Sequence, residues 1–396
     1  MMRRILMLSP WERLWSMGSG GASGEAFLID SLLESGHSVD LVVPPADVDD
    51  FPQHERLRVH RTGPPRAARR LSRVRSWIDL QRRLIVTGRA AGGRPDLVYG
   101  LSALATPTAG LLGRAWRVPS IGKLYGTFLL PTVGSPVNMA LQFEETLAFL
   151  SPVTRLVVHD DGTGGDTVAR ALRIPDKRVC FWRNGVDHMA CARAMREADP
   201  AQERQALGLR DSSPLIYTAS RLVGWKRVDR ILTAMPAVLD RHPNARLVVA
   251  GDGSERESLE RQAGPLGPAV RFTGAVPRDQ NLRFMAVADA FCATYDYSNV
   301  GNALLEAMSC GAAVVVTDTG RTRRLVRAGE NGLVVPPDKP HALADALCAL
   351  LDDSHLRSRL GSAARATATA ELPTTKERAA REVALAERLI DVATDA

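Results

Sequence analysis

Short apolar, β-branched runs punctuate the whole chain. In the first half they are Ile5 to Leu8, Val39 to Val43, Leu97 to Tyr99, Ser120 to Leu124 and Leu156 to Val158. The second half repeats the theme with Leu215 to Thr218, Arg246 to Ala250, Val270 to Thr273, Ala290 to Ala293, Ala313 to Thr317 and Gly332 to Val335. Near-continuous apolar strands separated by helix-length segments predict parallel sheets covered by helices on both faces. Two such sheets fit a chain of 396 residues. Patterning is weakest from Arg193 to Arg210, where charged sequence gives way to Asp211-Ser212-Ser213-Pro214 and marks a junction. The expected organisation is one domain over 1–192, a second over 193–373, and a final amphipathic helix within 374–396 that starts after Pro373.

Composition changes this picture little. With 45% apolar and 24% charged residues the chain reads as globular, and no window approaches a membrane-spanning apolar run. The first residues, Met1 to Leu8, enter a strand-like stretch with no small-residue cleavage site behind it, so the expectation is a cytoplasmic, unprocessed protein. Five scattered cysteines without a Cys-x-x-Cys spacing suggest neither a disulfide framework nor a zinc site.

Charge changes it more. The net charge is +7, and twelve arginines from Arg56 to Arg94 face a single acid, Asp79. That 56–94 stretch suits an anionic membrane surface, which would make the protein membrane-peripheral, or a phosphorylated acceptor; it equally suits plain solvated surface. Nucleic acid is not an expected partner, because no helix-turn-helix, zinc-finger or aromatic RNA-binding pattern accompanies the charge.

Three segments carry candidate chemistry. In Ala219-Ser220-Arg221-Leu222-Val223-Gly224-Trp225-Lys226, two cations lie on a loop after a parallel strand, where α/β sheets bind ligands, and they suit a diphosphate. The run Ser298-Asn299-Val300-Gly301-Asn302 opens a helix whose free N–H groups favour an anion, and Glu306 further along can accept ribose hydroxyls. The strand ending in Gly251-Asp252-Gly253 allows close approach of a ligand. Each segment also has a plain structural reading: solvent-facing cations, an ordinary capped helix, a strand terminus.

In order along the chain, these pieces resemble the GT-B glycosyltransferases, and specifically the retaining transferases of the family 4 type. The matching residues are Gly20-Gly21 and Gly36-His37-Ser38-Val39, Asn184-Gly185-Val186-Asp187, Ser220-Arg221-Leu222 with Lys226, and Val249-Ala250-Gly251-Asp252-Gly253. Further on come Phe272-Thr273-Gly274-Ala275-Val276, Leu304-Leu305-Glu306-Ala307-Met308-Ser309-Cys310-Gly311 and Glu330-Asn331-Gly332-Leu333-Val334. The resemblance implies an α/β protein of two Rossmann-like domains facing across a cleft, an acceptor-side N-terminal one and a donor-binding C-terminal one, with the last helix returning to the first. It implies Arg221, Lys226 and Glu306 as catalytic residues. Gly20, Gly21, Gly251, Val276, Ser298, Asn299, Val300, Gly301 and Asn302 would line the donor, and Tyr125, Asp161 and Asn184 are candidates for sugar or acceptor. It further implies a nucleotide diphospho-sugar as donor substrate, no separate cofactor, no metal, and no enzyme nucleophile. The oligomeric state stays open.

Several positions depart from the family pattern. The family pairs two glutamates with seven residues between them, and counting back from Glu306 lands on Ser298. Tyr125 stands where a histidine is common, and Arg321 and Arg324 replace a glycine and a glutamate. These changes keep a GT-B-shaped nucleotide-sugar epimerase, or a protein that only binds nucleotide-sugar, as alternatives. A Rossmann oxidoreductase fits less well: the glycines 18–24 begin well after Leu8, and Val42-Val43-Pro44-Pro45 lacks the ribose-binding acid. Asp47-Val48-Asp49, which mimics a metal-binding triplet, lies in an acidic, proline-flanked loop.

Overall fold

A computed structural model of the chain describes residues 2–12, 14–15, 23–46, 51–65, 72–210 and 213–395. The described residues up to Asn184, together with those from Thr375 on, form one compact unit, and Gly185–Thr374 forms the other. The division falls ahead of the expected junction at 192 because the helix His188–Glu197 packs with the second unit, placing Ala190, Cys191 and Ala194 in its core. The charged segment 193–210 is therefore no free linker.

The first unit holds a seven-stranded parallel sheet of β1 (Arg4–Leu8), β2 (Ser38–Val43), β3 (Leu57–Arg61), β4 (Leu97–Leu101), β5 (Ser120–Leu124), β6 (Arg155–His159) and β7 (Val179–Trp182), in the order β3-β2-β1-β4-β5-β6-β7. Its helices are α1 (Ser23–Glu34), α2 (Arg73–Ala90), α3 (Ser102–Trp116), α4 (Pro136–Leu141), α5 (Phe143–Leu150) and α6 (Gly165–Ala171). The second unit begins with α7 (His188–Glu197) and α8 (Pro200–Ala206), and its sheet comprises β8 (Leu215–Ala219), β9 (Arg246–Ala250), β10 (Val270–Gly274), β11 (Ala290–Ala293), β12 (Val314–Thr317) and β13 (Leu333–Val335). These strands are also parallel, in the order β10-β9-β8-β11-β12-β13. Around them lie α9 (Val228–Arg241), α10 (Arg256–Ala263), α11 (Arg278–Val287), α12 (Asn302–Ser309), α13 (Pro340–Asp352) and α14 (Ser354–Glu371). The last helix, α15 (Thr375–Thr394), belongs to the first unit, where it packs on α1.

Alternation along the strands explains why both sheets are covered on two sides. On β8 and β9, Leu215, Tyr217, Val248 and Ala250 enter one core, while Ile216, Leu247 and Val249 enter the other. Ile5 and Met7 of β1 likewise part from Leu6 and Leu8. Each fully buried aliphatic side chain contributes roughly 1.5–3 kcal/mol.

Two strands escape the apolar pattern, β3 and β7. Both are edge strands with one neighbour each and only half-buried side chains. β3, Leu-Arg-Val-His-Arg, lies inside the arginine-rich stretch, so part of what reads as basic surface is sheet edge.

Candidate functional site

In an open parallel sheet, ligands bind beyond the carboxyl ends of the strands where the strand order reverses. In the second unit that point lies between β8 and β11. The loop after β8 carries Arg221 and Lys226, and the loop after β11 carries Ser298 to Gly301 and leads into α12 with Glu306.

Backbone pairing holds the Arg221 loop. Ser220 N donates to Ala250 O at 3.0 Å and Leu222 N to Asp252 O at 2.8 Å. Gly251 makes this possible: its φ is +124°, and a Cβ there would lie 1.8 Å from the Ser220 carbonyl oxygen. The close approach at Gly251 that the structure shows is that of the chain's own loop. Arg221 is exposed, and its guanidinium has no hydrogen-bond or ion-pair partner among the described residues.

Lys226 is held differently. Its Nζ lies 4.1 Å from the Trp225 ring centroid and 3.5 Å from that of Tyr295, a cation–π arrangement that holds the ammonium against two aromatic faces. Asp296 N donates to Trp225 O at 2.9 Å, and Asp296 also takes Arg227 and Arg230, which fastens the two loops together.

Asn299 is a correction. It was expected among the donor contacts, but it is fully buried and its amide is committed: Oδ1 accepts from Tyr295 N at 2.9 Å, and Nδ2 donates to Thr317 O at 2.7 Å. It staples the loop instead of reading a ligand. Ser298 is also turned inward, accepting from Val300 N at 3.2 Å, and Val300 is buried. What the loop offers is the start of α12, with Gly301 as N-cap, no side-chain cap, and Asn302 exposed. Such a terminus presents free N–H groups and the positive end of a helix dipole.

Glu306 lies on the same helix, and Arg278, which the sequence pattern did not single out, donates from Nε to its Oε1 at 2.9 Å. Arg278 also lies 3.5 Å from Asp187. Burial raises the Glu306 carboxyl above its usual range, although Arg278 pulls it down. Arg278 opens α11, where a cation opposes the helix dipole, and that misfit is the signal that could have marked it. Val276, just before it, packs against the core.

The first unit has its own switch point, between β1 and β4. Gly20 and Gly21 of the loop after β1 lie outside the described residues. At the ends of β5 and β6 the structure places a buried charge network. Lys123 Nζ lies 2.9 Å from Glu25 of α1 and 3.0 Å from Glu382 of α15. Tyr99 donates to Glu382, and Arg378 pairs with the same carboxylate. Burial would raise Glu382, but Lys123, Arg378 and the Tyr99 hydroxyl hold it below its usual range.

Tyr125, expected to meet sugar or acceptor, donates its hydroxyl to Glu25 and packs edge-on against Trp11 and His159. It completes the network. His159 Nε2 is buried without a hydrogen-bond partner among the described residues, and burial together with Lys123 and Arg378 holds that imidazole well below its usual range.

Asp161 accepts from Thr163 N at 3.1 Å and from its hydroxyl at 2.6 Å. Its Oδ2 faces Gly126, where a Cβ would come within 2.0 Å. Burial lifts this carboxyl to about 6 against the Thr163 hydrogen bonds. Asn184 ends the loop after β7 at the boundary of the first unit. The named candidates therefore form two groups, Tyr125 with Asp161 in the first unit and Arg221, Lys226, Ser298 to Asn302 and Glu306 in the second.

Comparison with known proteins agrees with this architecture. Residues 26–185 match the glycosyl transferase 4-like domain and residues 199–367 the glycosyl transferases group 1. The D-inositol 3-phosphate glycosyltransferase of Frankia alni is 30% identical over 295 residues, covering 69% of this chain and 70% of that one. The chain belongs to the GT-B glycosyltransferases of the family 4 type. A second family member, the GDP-mannose-dependent monoacylated alpha-(1-6)-phosphatidylinositol monomannoside mannosyltransferase of Corynebacterium glutamicum, is 33% identical over 195 residues. The match covers 48% of this chain, which spans only 51% of that relative's length.

Among solved structures, Anabaena HepE in complex with UDP and glucose superposes with a TM-score of 0.71 at 19% identity, covering 96% of this chain and 99% of that one. The alpha,alpha-trehalose 6-phosphate synthase of Burkholderia multivorans superposes with a TM-score of 0.76 at 16% identity, covering 99% of this chain and 100% of the other. At these identities the likeness is one of fold. No helix among the described residues is long and apolar enough to cross a membrane.

Proposed function

We propose that this chain transfers a glycosyl group from a nucleotide diphospho-sugar to a hydroxyl of a lipid or glycan acceptor, with retention and without a metal ion. The observation that carries the donor assignment is the second unit's switch point. There the cations Arg221 and Lys226 share the carboxyl edge of the sheet with the start of α12, which has no side-chain cap. Three sources of positive potential at one edge suit a diphosphate leaving group, and charge developing on it is stabilised there as the sugar departs. Two fixed cations supply what a divalent ion would otherwise contribute.

Glu306, held through Oε1 by Arg278, has Oε2 without a donor among the described residues and so can accept ribose hydroxyls. The acceptor oxygen forms its bond to the anomeric carbon on the face from which the diphosphate leaves. Its proton passes to the departing phosphate oxygen, so no enzyme nucleophile is required. The relative named for a phosphatidylinositol monomannoside supports a lipid or glycan acceptor.

A thermal-shift screen against uridine, guanosine, adenosine and thymidine diphospho-sugars tests the donor site, since a ligand bound only by the native state raises its apparent stability. One or more should raise the transition. Failure of all of them, and of the free nucleoside diphosphates, overturns the assignment. Turnover with the best donor should persist in EDTA, and a strict need for Mg²⁺ or Mn²⁺ removes the metal-free part of the reading.

A further inference from the structure

The backbone behind each aromatic face that meets Lys226 is tied down. Tyr295 follows β11 closely, and its N–H donates to Asn299 Oδ1 at 2.9 Å. Its carbonyl accepts from the Thr319 hydroxyl at 2.8 Å and the Thr317 hydroxyl at 3.2 Å. Trp225 is half-buried and meets the Tyr295 ring edge-on, with centroids 6.0 Å apart. Its carbonyl accepts from Asp296 N at 2.9 Å. Directly after Lys226 the chain turns through Arg227, whose φ of +49° lies in the left-handed region. That turn is held too: the Thr294 hydroxyl donates to the Arg227 carbonyl at 2.8 Å, and Asp229 and Asp296 take the guanidinium.

A fixed loop does not by itself fix a lysine, whose ammonium rides on a flexible four-carbon stem. The rings supply that last constraint, with Nζ only 3.5 Å above the centre of the Tyr295 face. A ring attracts a cation through its quadrupole and, unlike a carboxylate, brings no negative charge of its own to the edge where an anion is to bind. Charge fixed in advance needs no rearrangement as a reaction proceeds, and electrostatic catalysis gains most from such charge.

We propose that Tyr295 and Trp225 are positioning residues that set Lys226 Nζ for the departing diphosphate, with Asn299, Thr317 and Thr319 acting behind Tyr295. The inference rests on the diphosphate role of Lys226. Stacking on the donor sugar is another use for an aromatic ring, and it needs an open face. Tyr295 offers none, being 1% exposed with its face under Nζ.

Replacing Tyr295 by phenylalanine, and then by mono-, di- and trifluorophenylalanine, tests this by keeping the ring's shape while draining negative charge from its face. Turnover is read as nucleoside diphosphate released from whichever diphospho-sugar gives the largest thermal shift. Phenylalanine should keep most of the turnover. Across the fluorinated series kcat should then fall stepwise, on the order of tenfold in all, while the donor KM and the thermal transition change little. W225L should lower kcat on the order of tenfold in the wild-type background and less than about twofold in K226M, where no ammonium is left to hold. A flat series means that the rings serve packing alone, and a rising one that they hold the ammonium away from the diphosphate; either overturns the proposal. Equal W225L losses in both backgrounds, or a loss confined to KM, overturn it as well. K226M separates this inference from the reading beneath it. Near-normal turnover in K226M removes the diphosphate role itself, whereas a large loss there beside a flat fluorinated series removes only the positioning role.

Discussion

The two units share a topology and treat positive charge in opposite ways. At the carboxyl edge of the second sheet, Arg221 has no partner among the described residues and Lys226 is held against the aromatic faces of Trp225 and Tyr295. At the same edge of the first sheet, Lys123 and Arg378 are buried and matched by Glu25 and Glu382. One edge is prepared for an anion. The other is neutral within itself and presents Asp161 beside glycine, which suits neutral hydroxyls. On the proposed function, the same scaffold takes an anionic donor at the edge that carries Arg221 and neutral hydroxyls at the edge where Lys123 and Arg378 are matched.

The comparison breaks most visibly at Lys123. Replacing it by methionine leaves Glu25 without its buried cation and Glu382 with Arg378 alone, and the unfolding free energy should fall by about 3–5 kcal/mol; a loss within 1 kcal/mol in denaturant titrations would refute the buried balance. Arg221→Ala should do the reverse, leaving stability within about 0.5 kcal/mol while lowering turnover by about 10²–10³-fold. Lys226→Ala should show a similar loss of turnover. Near-normal turnover in both variants would remove the diphosphate role.

Asn299→Ala sharpens the distinction between stapling and binding. It strands the Tyr295 N–H and the Thr317 carbonyl, so about 2–3 kcal/mol of stability should be lost. A variant with unchanged stability but weakened donor binding would restore Asn299 to the ligand.

The smallest effect concerns pH. The folded state raises Asp161 above its ordinary value to about 6, so it holds a proton the unfolded chain has released. Its stabilising contribution is full below pH ~4 and is lost as pH rises towards 6. Asp161→Asn should abolish that slope, gaining on the order of 1–2 kcal/mol over the wild type between pH 4 and 7. Parallel stability–pH curves for the two proteins would contradict it.

Much of this was legible in the sequence, for local reasons. Strands buried on both faces announce themselves as unbroken apolar runs, and Arg221, Lys226 and Glu306 could be placed because ligand loops follow such strands. Two edge strands escape that pattern: β3, Leu-Arg-Val-His-Arg, mixes charge with apolar bulk, and β7, Val-Cys-Phe-Trp, is only four residues long. Asn299 was misread because a loop has no period from which to infer whether an amide points in or out. The Lys123 network was invisible for a different reason. Its members lie on β5, α1 and α15, and only the tertiary fold brings a lysine to a glutamate more than 250 residues away.

That distance has a consequence during synthesis. The second unit, Gly185–Thr374, has its whole chain before any of α15 exists. The first unit, begun earlier, still lacks Glu382 and Arg378 at that moment. The half begun first therefore matures later, with Lys123 held by Glu25 alone and a flank of α1 uncovered until α15 leaves the ribosome.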